Sequence, residues 1–490
     1  MLVKRKSGIL LHITSLPGKF GIGGLGREAY EFVDFLSEAG QKIWQILPTG
    51  PTGYGDSPYQ TFSAFAGNPW LIDPQSLVAL GLISRNDKAE MELEPETSRI
   101  DYGKIIAIKN NILRNAWQNF TPDNDYKIFR EKNSFWLDDF SLFMSIKQHF
   151  GGTSWLDWEK DIKLAKSETV KRYRDLLKKD IEYYNFQQYI FFKQWFELKK
   201  YAESKSISVM GDLTIFVAMD SSDVWSDNKL FLFDDKQCPL LVAGVPPDYF
   251  SETGQLWGNP IYNWDNMVES DFKWWVQRMR LSLEMFELLR VDHFRGFAGY
   301  WAIPFGEKTA VKGNWLSAPG MKLFSKLQNE FTKLPIIAED LGVITDDVIE
   351  LRDKFNLPGM KVLQFAFDSG MDNPFLPHNY KENFAVYTGT HDNDTCRSWF
   401  EKLDPGRKNF VRKYIGCNLE NVSWKMIETA WKSPANLAIA PMQDFLNLDS
   451  SARMNTPGKT GGNWQWKLTS GQLDSELARR IKRITTKYLR

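Results

Sequence analysis

The sequence predicts an α/β chain folded as a (β/α)8 TIM barrel, with large helical and loop insertions at its carboxyl-end face and no C-terminal β-domain. Two observations carry that prediction. Eight apolar runs rich in β-branched and aromatic residues punctuate the 490 residues, with amphipathic sequence of helical length in several of the gaps. Three of those runs close abruptly on an acid: Asp292 in MFELLRVDHFRGF, Glu339 in LPIIAEDLG and Asp392 in FAVYTGTHDND. Buried parallel strands read as near-continuous apolar runs, and the carboxyl ends of barrel strands form the catalytic face.

The predicted strands lie, in order, within residues 8–16, 42–50, 207–216, 286–294, 334–342, 359–367, 384–392 and 437–446. After the first run, REAYEFVDFLSEAGQ sets Tyr30, Val33, Phe35 and Leu36 near helical spacing and stops at Gly40. After the fifth, TDDVIELRDKFN offers Thr345 as an N-cap with acids in the first turn. A doubly wound sheet would alternate similarly, but no glycine-rich phosphate fingerprint follows the first run. Residues 1–490 therefore read as one barrel domain with two insertions. The first, about 51–205, starts as an aromatic, turn-rich loop and continues in helical patterns such as SFWLDDFSLFMSIKQHF; the second, AGVPPDYFSETGQLWGNPIYNW at 243–264, is expected to be an ordered loop lying over the site.

Composition narrows the partners. Lys+Arg and Asp+Glu both total 61, so the net charge is zero, which argues against nucleic acid. No segment reaches the roughly 20 apolar residues of a membrane helix. The opening MLVKRKSGILLHITSLPG breaks at Ser7–Gly8 and reads as a first strand rather than a signal peptide. Cys238, Cys396 and Cys417 are widely spaced and odd in number, which suits a reducing compartment and shows no metal-ligand spacing. A cytoplasmic protein needing no metal or cofactor is expected. The 19 Trp and 34 Phe serve a large core first, and stacking platforms for sugar rings second.

The acids suggest chemistry. Arg290 lies two residues before Asp292, so strand alternation turns both to one face; a cation there favours the charged carboxylate a nucleophile needs, although such a pair taken alone is more often a structural one. Burial and the like charge of Asp340 would raise the proton affinity of Glu339 toward that of a general acid. His391 beside Asp392 adds a hydrogen-bond donor and a third acid. Paired carboxylates across one bond are the means of glycoside cleavage.

Arg-x-Asp, Glu and His-Asp on successive strands resemble the α-amylase clan. GYGDSPYQTFSAFAGNPWLID, GVPPDYFSETGQLWGNPIYNW, RVDHFRGFAGYWAIP, YTGTHDNDT and SARMNTPGKTGGNWQW narrow the resemblance to the amylomaltases, or 4-α-glucanotransferases, of glycoside hydrolase family 77. The resemblance spans about residues 8–467. It implies Asp292 as nucleophile, Glu339 as acid/base and Asp392 as the acid that holds the distorted sugar. It implies Arg290 as partner of the nucleophile, His391 as a hydroxyl ligand, Tyr59 as a stacking platform and Asp212 lining the site. It places Trp257 and Asn259 on an acceptor-side lid with Gln255 and Phe250, and adds Ser57, His293, Asp368 and Asn463 as substrate-binding residues. Tyr54 resembles a residue of a second glucan-binding surface. The implied partners are α-1,4-glucans with glucose as an acceptor, and the implied state is a monomer or weak homodimer. A plain α-glucan hydrolase and a non-catalytic maltodextrin-binding protein are the alternatives. Thr214 and Tyr249 stand where the family pattern has proline and alanine, and FLNLDS at 445–450 is less glycine-rich than expected.

Overall fold

The computed structural model describes residues 5–53, 55–93, 96–247 and 251–490, so Tyr54, Tyr249 and Phe250 lie outside the described residues. Twelve strands form among them: β1 (Lys6–Leu10), β2 (Ile43–Gln45), β3 (Ser208–Leu213), β4 (Leu241–Val245), β5 (Gln255–Pro260), β6 (Leu288–Val291), β7 (Gly299–Pro304), β8 (Asn314–Ser317), β9 (Ile336–Ala338), β10 (Gly359–Val362), β11 (Phe384–Tyr387) and β12 (Leu437–Pro441). Eight pair in parallel in the order β10-β11-β12-β1-β2-β3-β6-β9. The Ala338 N–H donates to the Pro358 carbonyl at 2.8 Å, joining the two ends of that order and closing the barrel. Each of the eight apolar runs meets one barrel strand, seven of them enclosing it, while β1 starts at Lys6, two residues ahead of its run. They are apolar nearly throughout because a parallel barrel buries both faces of its strands, one in the barrel centre and one under the helices. Close approach at the wall is visible at Gly211, where an added Cβ would sit 2.4 Å from the Phe286 ring.

The helix Arg27–Glu38 buries Ala29, Phe32, Val33, Phe35 and Leu36, while Tyr30 is only half-buried. Gly40 beyond its end takes φ +70°. Thr345 occupies the N-cap of Asp346–Lys354, but its hydroxyl bonds to the Asp347 carboxylate at 2.5 Å rather than capping a backbone N–H. Between β2 and β3 stand the long helices Tyr102–Gln118, Asn124–His149 and Lys178–Ser204. Two buried glutamines of the last tie it to the turn-rich segment: Gln188 brackets the Gly67 backbone (2.7 and 2.9 Å) and Gln194 that of Asp73 (2.8 and 3.3 Å).

The region 243–264 differs from expectation. It is not a loop alone, because β4 and β5 form in it and join β7 and β8 in an antiparallel sheet of order β5-β4-β7-β8. A register shift between Val242 and Gly244 interrupts the two-residue period that would have revealed β4. Tyr300, Ala302 and Ala243 are buried on one face of this sheet. The chain after β12 carries no further strand and ends in the helix Ser475–Lys487.

Candidate active site

Strand register assembles the centre. Asp212 of β3 pairs directly with Arg290 of β6, so the two side chains share one face of the barrel wall. The guanidinium Nη1 donates to both Asp212 oxygens at 2.8 and 2.7 Å, and Nη2 lies 2.8 Å from Asp292 Oδ1. Arg290 is 4% exposed and Asp212 6%, so this is a dehydrated clamp holding Asp292 at the edge of the cleft. Asp212 Oδ2 also accepts the Tyr59 hydroxyl at 2.8 Å, which anchors the SPYQ segment to the barrel.

After Asp292 the chain turns sharply. His293 takes a left-handed φ of 50°, and its backbone N–H then donates to Glu339 Oε2 at 2.6 Å. The Leu341 N–H reaches Oε1 at 3.2 Å. Burial raises the Glu339 carboxyl to about 8; Arg290 opposes this, while the charges of Asp292 and Asp340 add to it. Burial thus favours the protonated form of Glu339, with the backbone N–H of His293 opposing it. Burial likewise pushes His293 down to about 4, leaving a neutral imidazole.

The third acid sits on the loop after β11. Asp392 Oδ1 lies 3.3 Å from His391 Nε2 and accepts Asn455 Nδ2 at 2.6 Å, while Arg453 donates to its carbonyl at 2.5 Å. The His391 ring stacks on Tyr59 (centroids 5.0 Å, 22°), and Trp464 closes on both at 5.8 and 5.9 Å. Behind them His12 accepts the Leu47 N–H at 3.2 Å, and burial with the nearby His391 holds it down at about 3. On the opposite side the edge of Trp257 meets His293 at 4.7 Å and 84°, and its Nε1 donates to Gln255 Oε1 at 3.1 Å. Asn259 accepts Gln60 Nε2 at 3.2 Å and donates to the Val217 carbonyl at 2.7 Å, linking the lid sheet to the SPYQ segment.

Asp292, Glu339, Asp392, Arg290, His391, Tyr59, Asp212, His293, Trp257, Gln255 and Asn259 thus fall into a few linked contact chains around one centre. The remaining positions are occupied locally. Ser57 Oγ accepts the Tyr59 N–H at 3.3 Å, Asp368 accepts Asn373 Nδ2 at 2.7 Å, and Asn463 accepts the Thr456 N–H at 3.1 Å. Thr214 receives Arg278 Nη2 at 3.0 Å, an interaction proline would lack. Asn455, Arg453, Trp464, Gln60 and His12 are contacts the sequence reading missed. For the first three the signal was the motif SARMNTPGKTGGNWQW itself, beyond the last strand.

The sequence profile described as 4-alpha-glucanotransferase, glycoside hydrolase family 77, matches residues 11–473. The 4-alpha-glucanotransferase of Clostridium butyricum is 48% identical over 483 residues, covering 98% of this chain and 99% of that protein. That of Thermus thermophilus is 48% identical over 496 residues, covering 98% of each. The amylomaltase of Streptococcus agalactiae, solved in complex with acarbose, superposes with a TM-score of 0.97 at 43% identity, covering 99% of this chain and 100% of that one. The chain belongs to the 4-α-glucanotransferases of glycoside hydrolase family 77.

Proposed function

We propose that the chain performs its 4-α-glucanotransferase reaction as a retaining double displacement through Asp292. The Asp292 carboxylate attacks the anomeric carbon of an α-1,4-linked glucosyl unit. The bond to the leaving glucan breaks as Glu339 gives its proton to the departing oxygen, and a β-glucosyl ester forms. The 4-hydroxyl of a second glucan, or of glucose, then yields its proton to the Glu339 carboxylate and attacks the same carbon. The ester breaks, Asp292 is released and an α-1,4 bond is restored. Asp392, with His391, holds the hydroxyls of the distorted sugar, and Tyr59 stacks on its face.

The observation that carries this reading is the contrast between the two carboxyls. Asp292 is held by a buried cation, while Glu339 keeps a proton to about pH 8. Transfer beats hydrolysis when an acceptor excludes water from the intermediate, and the sheet bearing Trp257 and Asn259 is the element placed to do this. The cytoplasm is the proposed setting, where Cys238, Cys396 and Cys417 would remain free thiols, as they stand here. Among the described residues no helix is long and apolar enough to cross a membrane. A monomer or weak homodimer is the proposed state. Incubation with maltotriose tests the reading. Glucose plus a ladder of longer maltodextrins is expected, whereas a new reducing end for every bond cut, with no longer products, would mark a hydrolase.

A further inference from the structure

We infer that Asp444 is a positioning residue for the reaction, one carboxylate clasping both ends of the loop that carries His391 and Asp392. Asp444 lies on the short helix Met442–Phe445 just past β12 and is 1% exposed. Its Oδ2 accepts the Thr388 hydroxyl at 2.6 Å, on the first residue after β11. Its Oδ1 accepts the Cys396 N–H at 2.8 Å, on the first residue of the helix Cys396–Lys402. The Cys396 thiol donates to Oδ2 as well, at 3.1 Å. Burial raises the proton affinity of Asp444, and the hydrogen bonds from Thr388 and Cys396 oppose that rise; with the three groups donating as placed, both oxygens act as acceptors.

The rest of the loop is fastened from within. Asn393 Oδ1 accepts the Thr390 N–H and hydroxyl at 2.8 and 2.9 Å, and the Asp392 N–H donates to Thr390 Oγ1 at 3.3 Å. Gln364 donates to the Asp394 carbonyl at 2.8 Å and packs against Gly389 so closely that an added Cβ would lie 2.7 Å from its Nε2. With its interior and ends both hydrogen-bonded, the loop is braced as one unit, and Asp444 sets where that unit sits on the barrel rim. Asp444 touches no substrate; it acts through Asp392 and His391. The inference rests on Asp392 being the third working carboxylate.

The test measures glycosyl-enzyme formation from α-glucosyl fluoride in a Glu339→Gln background, reading the rate constant and the fraction of molecules labelled. Asp392→Asn is measured alongside. A misplacement of about 1 Å costs on the order of 100-fold in rate. Asp444→Asn, which turns an amide donor toward donors, is therefore expected to slow labelling by roughly tenfold to a hundredfold at an unchanged labelled fraction. Thr388→Val should slow it severalfold, and Thr388→Ser should restore the rate. A folded Asp444→Asn or Thr388→Val protein that labels within twofold of its parent overturns the proposal, as does a loss confined to the labelled fraction, which is what a purely structural role gives. If Asp444→Asn does not fold, Thr388→Val and Thr388→Ser decide. If Asp392→Asn itself labels at the parent rate, the role of Asp392 fails first and the inference falls with it.

Discussion

Replacing Trp257 by alanine tests how the lid sheet selects a sugar over water. The indole meets His293 edge to face at 4.7 Å, and its Nε1 hydrogen bond stays within its own strand, to Gln255 at 3.1 Å. The ring is partly buried and packs against the margin of the core, so truncation removes core-edge packing together with one aromatic contact and the proposed platform for the incoming glucan. An edge-to-face aromatic pair contributes about 1 kcal/mol, and stacking on a sugar face is taken as similar. At about 1.4 kcal/mol per factor of ten, losing the sugar stacking alone lowers transfer by roughly fivefold. Water needs no platform, so hydrolysis falls less and the transfer-to-hydrolysis ratio drops. The assay follows glucose, reducing ends and chain-length distribution from maltotriose. An unchanged ratio in a well-folded Trp257→Ala protein, or a parallel loss of both activities, would refute the reasoning.

Other consequences follow from the same contacts. If Glu339 is the proton donor of the first step, as proposed, its raised value of about 8 makes kcat/KM fall on the alkaline side near that pH, and Asp340→Asn, which removes a like charge, should move the fall to lower pH. The folded state binds this proton more tightly than the unfolded chain, whose ordinary value is 4.5, so the group's contribution to stability declines as pH rises from about 4.5 to about 8. Glu339→Gln removes that decline, and its melting temperature relative to wild type should rise between pH 5 and pH 8. Asp212→Asn strips one charge from the buried Arg290 clamp and should cost about 3 kcal/mol in denaturant unfolding while slowing glycosyl-enzyme formation. Gln188→Leu leaves the Gly67 N–H and carbonyl buried without partners; a loss of about 2–4 kcal/mol is expected, with a raised KM because the Tyr59 segment loses its tether to the helical insertion.

The barrel was legible because a parallel strand buried on both faces must be apolar throughout, and eight such runs leave little choice of fold. The placement of Asp292 and Glu339 was legible for the complementary reason, since each directly follows the last residue of its strand, whereas Asp392 lies five residues beyond β11 on a loop. The lid sheet was hidden. Pro246, Pro247 and three glycines break the strand pattern of 243–264, and its partners β7 and β8 come from beyond β6, so nothing local announces the pairing. The hold of Asn455 and Arg453 on Asp392 was hidden because it forms only when the segment after β12 folds back over the β11 loop. Asp444 reads in sequence as one more acid past a strand end, like the three proposed catalytic acids; only burial and three donors around it show that it faces the wall and not the cleft.

The account stands most directly on covalent capture. Glu339→Gln protein exposed to α-glucosyl fluoride, whose leaving group needs little protonation, should gain the mass of one anhydroglucose unit per chain. Digestion should place that sugar on the peptide containing Asp292, and Asp292→Asn should remain unlabelled while folding normally. Recovery of the sugar on any other residue, or continued transfer by Asp292→Asn, contradicts the mechanism.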